Sequence, residues 1–357
     1  MKKLLGLLAL TLAVSGVASA DQDFLKSINF DTNVRYRYMD LDTTEGDSPF
    51  IGNEGFSKEN RVRTRWYKTV SGTVVLSDEF GLEADFAVVH RNQTNRIGNF
   101  KHSKEELWNP SLTIKKGIQL GNLETIFKLK YENETTRPRE NGATGEYRTG
   151  GIFNEITFGP EFRTNILGQN IKVDTGVVYF KMSGVADNNL PTTIGNMTDK
   201  GKADGWGLNF NLSKDGTIVD AGFGKITYGL DFINKFRDIK GEFGGEKVGS
   251  NVYLDYLQNV TYTTPTLLGG FYGQLILQNE WEKHTSVTGW DNTFDIVTGL
   301  GYKTSFDTSV GEITINPYTS YSILNRESNY NKDRDNKRIT IERNEIRAGL
   351  KLGLAVK

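Results

Sequence analysis

Apolar and polar residues alternate with a period of two through most of the chain. From Leu123 to Tyr131, one face carries Leu123, Thr125, Phe127, Leu129 and Tyr131, and the other carries Glu124, Ile126, Lys128 and Lys130. From Phe271 to Glu282 the split is Phe271, Leu275, Leu277 and Trp281 against Tyr272, Gln274, Gln278, Glu280 and Glu282. Ile226, Tyr228, Leu230, Phe232 and Phe236 alternate in the same way with Lys225, Thr227, Asp231 and Lys235. That period marks a β-strand whose two faces meet different surroundings. It predicts fourteen strands, at 28–38, 60–76, 81–91, 106–120, 123–132, 148–165, 171–183, 205–212, 224–236, 248–263, 271–283, 293–305, 312–325 and 340–355.

The connections between these strands alternate in length. Ser77–Phe80, Gly121–Asn122, Ile166–Asn170, Thr264–Gly270 and Phe306–Gly311 are short; 39–59, 92–105, 133–147, 184–204, 237–247, 284–292 and 326–339 are long. Ser213–Phe223 is the one long connection on the short side. An even strand count with short turns at one end and long loops at the other predicts an all-β fold, a transmembrane antiparallel β-barrel of the bacterial outer membrane. In lipid only a sheet without edges satisfies every backbone donor and acceptor. The apolar face then meets lipid and the polar face lines the lumen. Arg61, Arg63 and Arg65 on one strand and Glu83 and Asp85 on the next have no place in a dry soluble core. Tyr38, Trp66, Trp108, Tyr131, Trp206 and Trp281, near the ends of apolar stripes, are candidates for interfacial girdles. Pro110, Pro160 and Pro317 fall inside predicted strands, where each removes a ladder donor, so bulges or strand ends are expected there. Lys68 shares the lipid-facing parity of Trp66 and Val70, which predicts a bulge or a shifted register.

Residues 1–20 read as a signal peptide: Lys2 and Lys3, an apolar run from Leu4 to Val14, and Ala18-Ser19-Ala20 before the cut. Residues 21–357 form the barrel in this reading. Of 357 residues 24% are charged, and no later run is apolar enough for a membrane helix. The net charge of −1 gives no general attraction to nucleic acid. With no cysteine there is no disulfide, thiolate metal site or thiol nucleophile.

Catalytic chemistry is poorly represented. The three histidines are His90, on the lipid-facing parity at the outer end of a strand, and His102 and His284, in or beside outer loops. Neither these nor any P-loop, G-x-S-x-G or H-E-x-x-H motif signals an active site, so no catalysis and no cofactor are expected. Asp40, Asp42, Glu45 and Asp47 lack the spacing of a calcium loop and read as a solvated acidic loop, so no metal site is assigned.

The stretch from Phe56 to Arg96, FSKENRVRTRWYKTVSGTVVLSDEFGLEADFAVVHRNQTNR, runs from basic/apolar alternation into an acidic turn, a Gly-Leu-Glu strand and an Arg/Asn-rich end. It resembles the major outer-membrane porins of fusobacteria, the FomA-like family, as does Asn33-Val34-Arg35-Tyr36-Arg37-Tyr38. The resemblance covers about the first third of the exported chain. It implies a general channel for passive diffusion of small hydrophilic solutes and ions.

The residues place a candidate constriction on polar-parity charges. Arg35, Arg37, Arg61, Arg63 and Arg65 share one height on the first two strands, and Arg347 and Lys351 join that wall if the last strand closes on the first. Asp231, Asp255, Glu280 and Glu282 form a candidate acidic wall broadly opposite. Fourteen strands leave a lumen wider than an eight-strand barrel's, and 184–204 is the candidate loop to narrow it. Two other readings compete with a water-filled porin: a substrate-selective channel, for example for oligosaccharides, and a surface adhesin or receptor acting through the outer loops. Expected partners are outer-membrane lipids, small polar solutes and ions, with a homotrimer as a candidate assembly and no nucleic acid.

Overall fold

An amphipathic strand in lipid has to hydrogen-bond along both edges, and a ring of strands is the arrangement that leaves none open. A computed structural model shows that ring. It describes residues 25–40, 61–97, 100–136, 139–141, 147–148, 151–184, 201–243, 246–248, 250–284, 290–330 and 338–356. Residues 1–20, predicted as a signal peptide, the acidic loop beyond Asp40 and the centre of loop 184–204 lie outside the described residues.

Fourteen long antiparallel strands follow one another: β1 (Leu25–Asp40), β2 (Arg61–Ser77), β3 (Leu82–Ile97), β4 (Phe100–Leu120), β5 (Leu123–Thr136), β6 (Gly151–Ile166) and β7 (Gln169–Gly184). The second half holds β8 (Gly201–Ala221), β9 (Gly224–Phe243), β10 (Asn251–Thr263), β11 (Phe271–His284), β12 (Asp291–Tyr302), β13 (Gly311–Tyr330) and β14 (Arg338–Val356). Thr304–Asp307 continues β12 along β13. Each strand pairs with its neighbour in sequence, and β14 pairs with β1 from Ala355 opposite Ser27 to Glu342 opposite Asp40. All fourteen predicted strands are present, and the sheet closes.

The strands outrun their predictions at the long-loop end. Predicted loop 92–105 is strand up to Ile97 and again from Phe100, and Arg139–Asn141, Tyr147–Arg148 and Glu246–Val248 add short rungs there. Beyond the membrane the outer face no longer needs apolar side chains, so the ladder continues without any apolar stripe to announce it. Ser213–Phe223 is also corrected. Most of it is strand, and β8 turns into β9 at Gly222–Phe223. A register shift between Thr217 and Val219 breaks the alternation there. With that change, every short-side connection between strands is a compact turn.

The prolines produce neither bulges nor strand ends. At each one, two residues drop out of the ladder on one edge while the register on either side is unchanged. Pro110 and Asn109 are unpaired toward β5, Pro160 and Gly159 toward β7, and Pro317 and Asn316 toward β12. Side chains span the gaps: Asn109 Nδ2 donates to Glu132 at 3.0 Å, the Thr175 hydroxyl to the Pro160 carbonyl at 3.3 Å, and the Tyr272 hydroxyl to Asn316 at 3.0 Å. The missing proline donor thus costs one local opening and no slip. At the second gap Gly159 lets the strands touch, because a Cβ there would lie 2.0 Å from the Thr175 carbonyl oxygen. That contact is with backbone and cannot be relieved by a rotamer. Gly159→Ala is expected to abolish most refolding, read as loss of the fast-migrating unboiled band on a detergent gel. Retention of that band at the wild-type level would contradict the close approach.

The outer wall is apolar and exposed, the reverse of a soluble barrel. Trp206 is 60% exposed and Trp66 50%, with Leu208, Phe158, Val177 and Leu277 also on the outside. Trp66, Tyr131, Trp206 and Trp281 stand toward the long-loop end, while Phe80, Phe223, Phe271 and Phe306 mark the short-turn end. These two aromatic bands bracket the apolar zone as interfacial girdles do. Lys68 needs no bulge. The ladder runs unbroken through Thr32, Lys68 and His90, so Lys68 is on the outer face. Its neighbour His90 stacks on Trp108 at 4.2 Å and contacts Glu106 at 3.2 Å, and Trp108 Nε1 donates to the same carboxylate oxygen at 2.9 Å. A small polar group of residues therefore sits on the wall.

Candidate functional site

Side chains of the opposite parity point into the barrel, and most are charged or polar. The register brings three arginines into one row: Arg347 lies opposite Arg35, and Arg35 opposite Arg65. The next row toward the long-loop end holds Glu345, Arg37 and Arg63. Like charges directly opposite each other destabilise a sheet, so this row persists only with nearby acceptors. Glu345, buried at 7% exposure, takes Arg37 Nε at 2.7 Å and Arg347 at 3.0 Å. Arg35 lies over the Tyr67 ring at 4.5 Å and donates to Asn33 at 3.3 Å. Arg65 bonds Gln93 and donates to the Tyr67 hydroxyl at 3.4 Å.

Of the predicted basic wall, Arg35, Arg37, Arg63, Arg65 and Arg347 share this inner face. Arg61 occupies the matching backbone position opposite Met39, but its side chain lies outside the described residues. The sequence reading missed Arg91 and Arg343, which carry the same parity on β3 and β14. Arg91 pairs with Glu105 at 2.5 Å, and Glu105 is 1% exposed. Both were legible: Arg91 follows the outward His90, and Arg343 stands two and four residues before Glu345 and Arg347.

The acidic side forms a second group. Asp255 on β10 lies opposite Glu282 on β11, and Glu280 is two residues back on the same face. One carboxylate oxygen from each lies within 4.8 Å of the other two. The Tyr253 hydroxyl donates to Glu282 at 2.8 Å. Asp231 does not join them. It lines a cavity of about 1020 Å³ at the short-turn end with Lys172, Asp215 and Lys225. The two walls are broadly but not diametrically opposed: β10 and β11 lie four to six strands from β1 and β2 around the ring, where seven would be opposite. Charge is divided into two separate sectors, basic on β14–β3 and acidic on β10–β12.

The remaining interior is cross-linked. Lys128 bridges Glu161 at 2.6 Å and Asp174 at 2.7 Å, and Arg237 on β9 reaches Glu155 on β6 at 3.1 Å. Toward the long-loop end, Phe153, Val178, Phe180, Met182, Ala203 and Ile239 make a buried apolar cluster of inward parity. Glycine makes room for it, since a Cβ at Gly205 would meet the Phe180 ring at 2.9 Å and the Asp238 carbonyl at 2.0 Å. This cluster was not anticipated, because Ile152-Phe153 and Val177-Val178 are apolar on both parities. His90 is on the outer wall, and the side chains of His102 and His284 lie outside the described residues.

No protein-family model matches the chain, and no curated protein matches it. Solved structures do. A FadL homologue of Pseudomonas aeruginosa is similar over 92% of this chain and 90% of its own, with a TM-score of 0.50 and 10% identity. The TodX monoaromatic hydrocarbon channel, in a deltaS2 mutant, is similar over 93% and 91%, with a TM-score of 0.47 and 7% identity. OmpT, an outer membrane protein of Vibrio cholerae, is similar over 94% and 98%, with a TM-score of 0.37 and 10% identity. At 10% identity the FadL homologue speaks for the fold alone, and with the closed ring and its exposed apolar wall it makes this chain a transmembrane β-barrel of the outer membrane.

Proposed function

We propose that the barrel is a substrate-selective channel for small polar solutes that carry both signs of charge, and that it works without catalysis. The observation that carries this reading is the division of the inner wall into a basic sector around Arg35, Arg65 and Arg347 and an acidic sector around Asp255, Glu280 and Glu282. Separated charges on a low-dielectric wall set up a field across the lumen. A zwitterion can turn to match that field, whereas a neutral solute of equal size gains nothing from it and has to displace ordered water. General diffusion of small hydrophilic solutes is the looser form of the same reading. The resemblance of Phe56–Arg96 to fusobacterial porins supports a polar cargo.

A second reading, a channel for apolar solutes, has one observation in its favour: the inward apolar cluster around Phe153 and Phe180. TodX is described as a monoaromatic hydrocarbon channel. In this chain, however, the cluster borders the Arg237–Glu155 ion pair, which sets charge directly beside it.

Permeation into proteoliposomes separates the readings. Zwitterionic amino acids are expected to enter faster than neutral polyols of the same size, and toluene-like solutes to show no dependence on the protein. Equal rates for zwitterions and polyols would favour unselective diffusion, and protein-dependent entry of the aromatic alone would favour the apolar channel.

A further inference from the structure

We infer that Asp255, Glu280 and Glu282 form a binding site for a hard divalent cation, with calcium as the best match, inside the barrel wall. Three carboxylates come together without a cationic partner: among the described residues, none of them is in an ion pair. Such a group repels itself, and burial strengthens the repulsion. Asp255 is only 8% exposed, and its Oδ1 has no hydrogen-bond partner. A buried carboxylate oxygen left unpaired costs stability, so this atom is the second sign, apart from the cluster itself, that a ligand is missing from the protein's own inventory.

The geometry suits one ion. The three ligand oxygens lie within 4.8 Å of one another. Calcium takes oxygen ligands at roughly 2.3–2.6 Å, so oxygens on opposite sides of it are about 5 Å apart. Magnesium, at roughly 2.1 Å, demands a tighter and more regular set and sheds its water reluctantly. All donors are carboxylate oxygens, which excludes a preference for soft thiolate-seeking metals. The strand register fixes the arrangement: Asp255 and Glu282 are direct cross-strand partners, and Glu280 follows at the period-two spacing. Tyr253 donates its hydroxyl to Glu282 Oε1 at 2.8 Å, and Glu282 Oε2 remains as a further oxygen beside the group. The Lys235 amine lies over the Tyr253 ring, 5.7 Å from its centroid, and forms no ion pair with the three acids. Asp291, the β12 partner of Glu282, adds a further acid beside the group.

Terbium luminescence tests this on the folded full-length barrel in detergent, because Tyr253 beside the site sensitises a bound lanthanide. The expected result is a saturable signal at one ion per barrel, displaced by calcium at far lower concentration than by sodium at equal ionic strength. Asp255→Asn, close in shape and relieved of repulsion, is expected to weaken binding by about tenfold or more. Glu280→Gln is a second variant in case the first folds poorly. Glu83→Gln, on the far side of the barrel, should leave the signal intact. A signal that survives Asp255→Asn and Glu280→Gln, or one that sodium displaces as well as calcium, would overturn the site and leave diffuse screening of an acidic wall. Absence of any saturable signal in the folded wild-type barrel would overturn it as well.

Discussion

Replacing Arg35, Arg65 and Arg347 together by glutamine is expected to move the reversal potential of the channel strongly toward cations. The three side chains form one cross-strand row on the inner face of β14, β1 and β2, and arginine stays charged at every physiological pH. Glutamine keeps much of the length and hydrogen-bonding capacity while removing three charges from one height of the wall. The acidic sector on β10–β12 is untouched, so cations gain a favourable path where none opposed anions before. The change should be largest in dilute salt, where the screening length approaches 30 Å at about 0.01 M, and should shrink toward 1 M. In a tenfold salt gradient the ceiling is ~59 mV for a perfectly selective monovalent channel, and a shift covering a large part of that range is expected. An unchanged reversal potential in dilute salt would mean that the row is a wall brace remote from the permeating ions. The sequence pattern placed Arg35, Arg37, Arg61, Arg63 and Arg65 at one height, with Arg347 joining them if the last strand closes on the first; the register sets Arg347, Arg35 and Arg65 side by side in one row across three strands.

The second large effect is expected at Glu345. It is the buried acceptor for both Arg37 and Arg347, and Arg347 is a member of the arginine row. Glu345→Gln removes the negative charge and leaves both guanidiniums facing their like-charged neighbours. Hydrogen bonds to charged groups are worth roughly 1.5–3 kcal/mol each, and water in the lumen discounts that. A loss of about 2 kcal/mol in urea unfolding of the detergent-folded barrel is expected. The same variant should shift selectivity toward anions, opposite in sign to the arginine triple variant. A stability change below about 0.5 kcal/mol would show that solvent, and not Glu345, carries those arginines.

Much of this fold is written in the sequence because the membrane imposes a period-two code. Leu123–Tyr131 and Phe271–Glu282 announce both their strands and their faces, and every described charge assigned to the lumen from parity lies on the inner face. The code fails where its cause is absent. Toward the long-loop end, Asn92–Ile97 and Phe100–Glu105 are mostly polar on both parities, so their strands carry no apolar stripe. A single shifted residue near Ile218 hides the rest of β8. In β13 the register shift between Tyr321 and Asn325 turns Ile323 and Leu324 outward together. What parity cannot supply is which residues become neighbours. That depends on the length and shape of each turn, for example Leu167-Gly168, where both residues take positive φ. The Arg347–Arg35–Arg65 row, the grouping of Asp255 with Glu282 and the separation of Asp231 from them all belong to the register.

Selective permeation requires the lumen of this barrel to be a conducting path whose wall sorts charge. Single-channel recording of the folded protein in a planar bilayer tests this most directly. Discrete ohmic steps are expected, with a reversal potential that depends on salt concentration and moves in opposite directions for the arginine triple variant and Glu345→Gln. A folded barrel that inserts and gives no steps would contradict the account and leave a closed barrel acting through its outer loops as an adhesin or receptor.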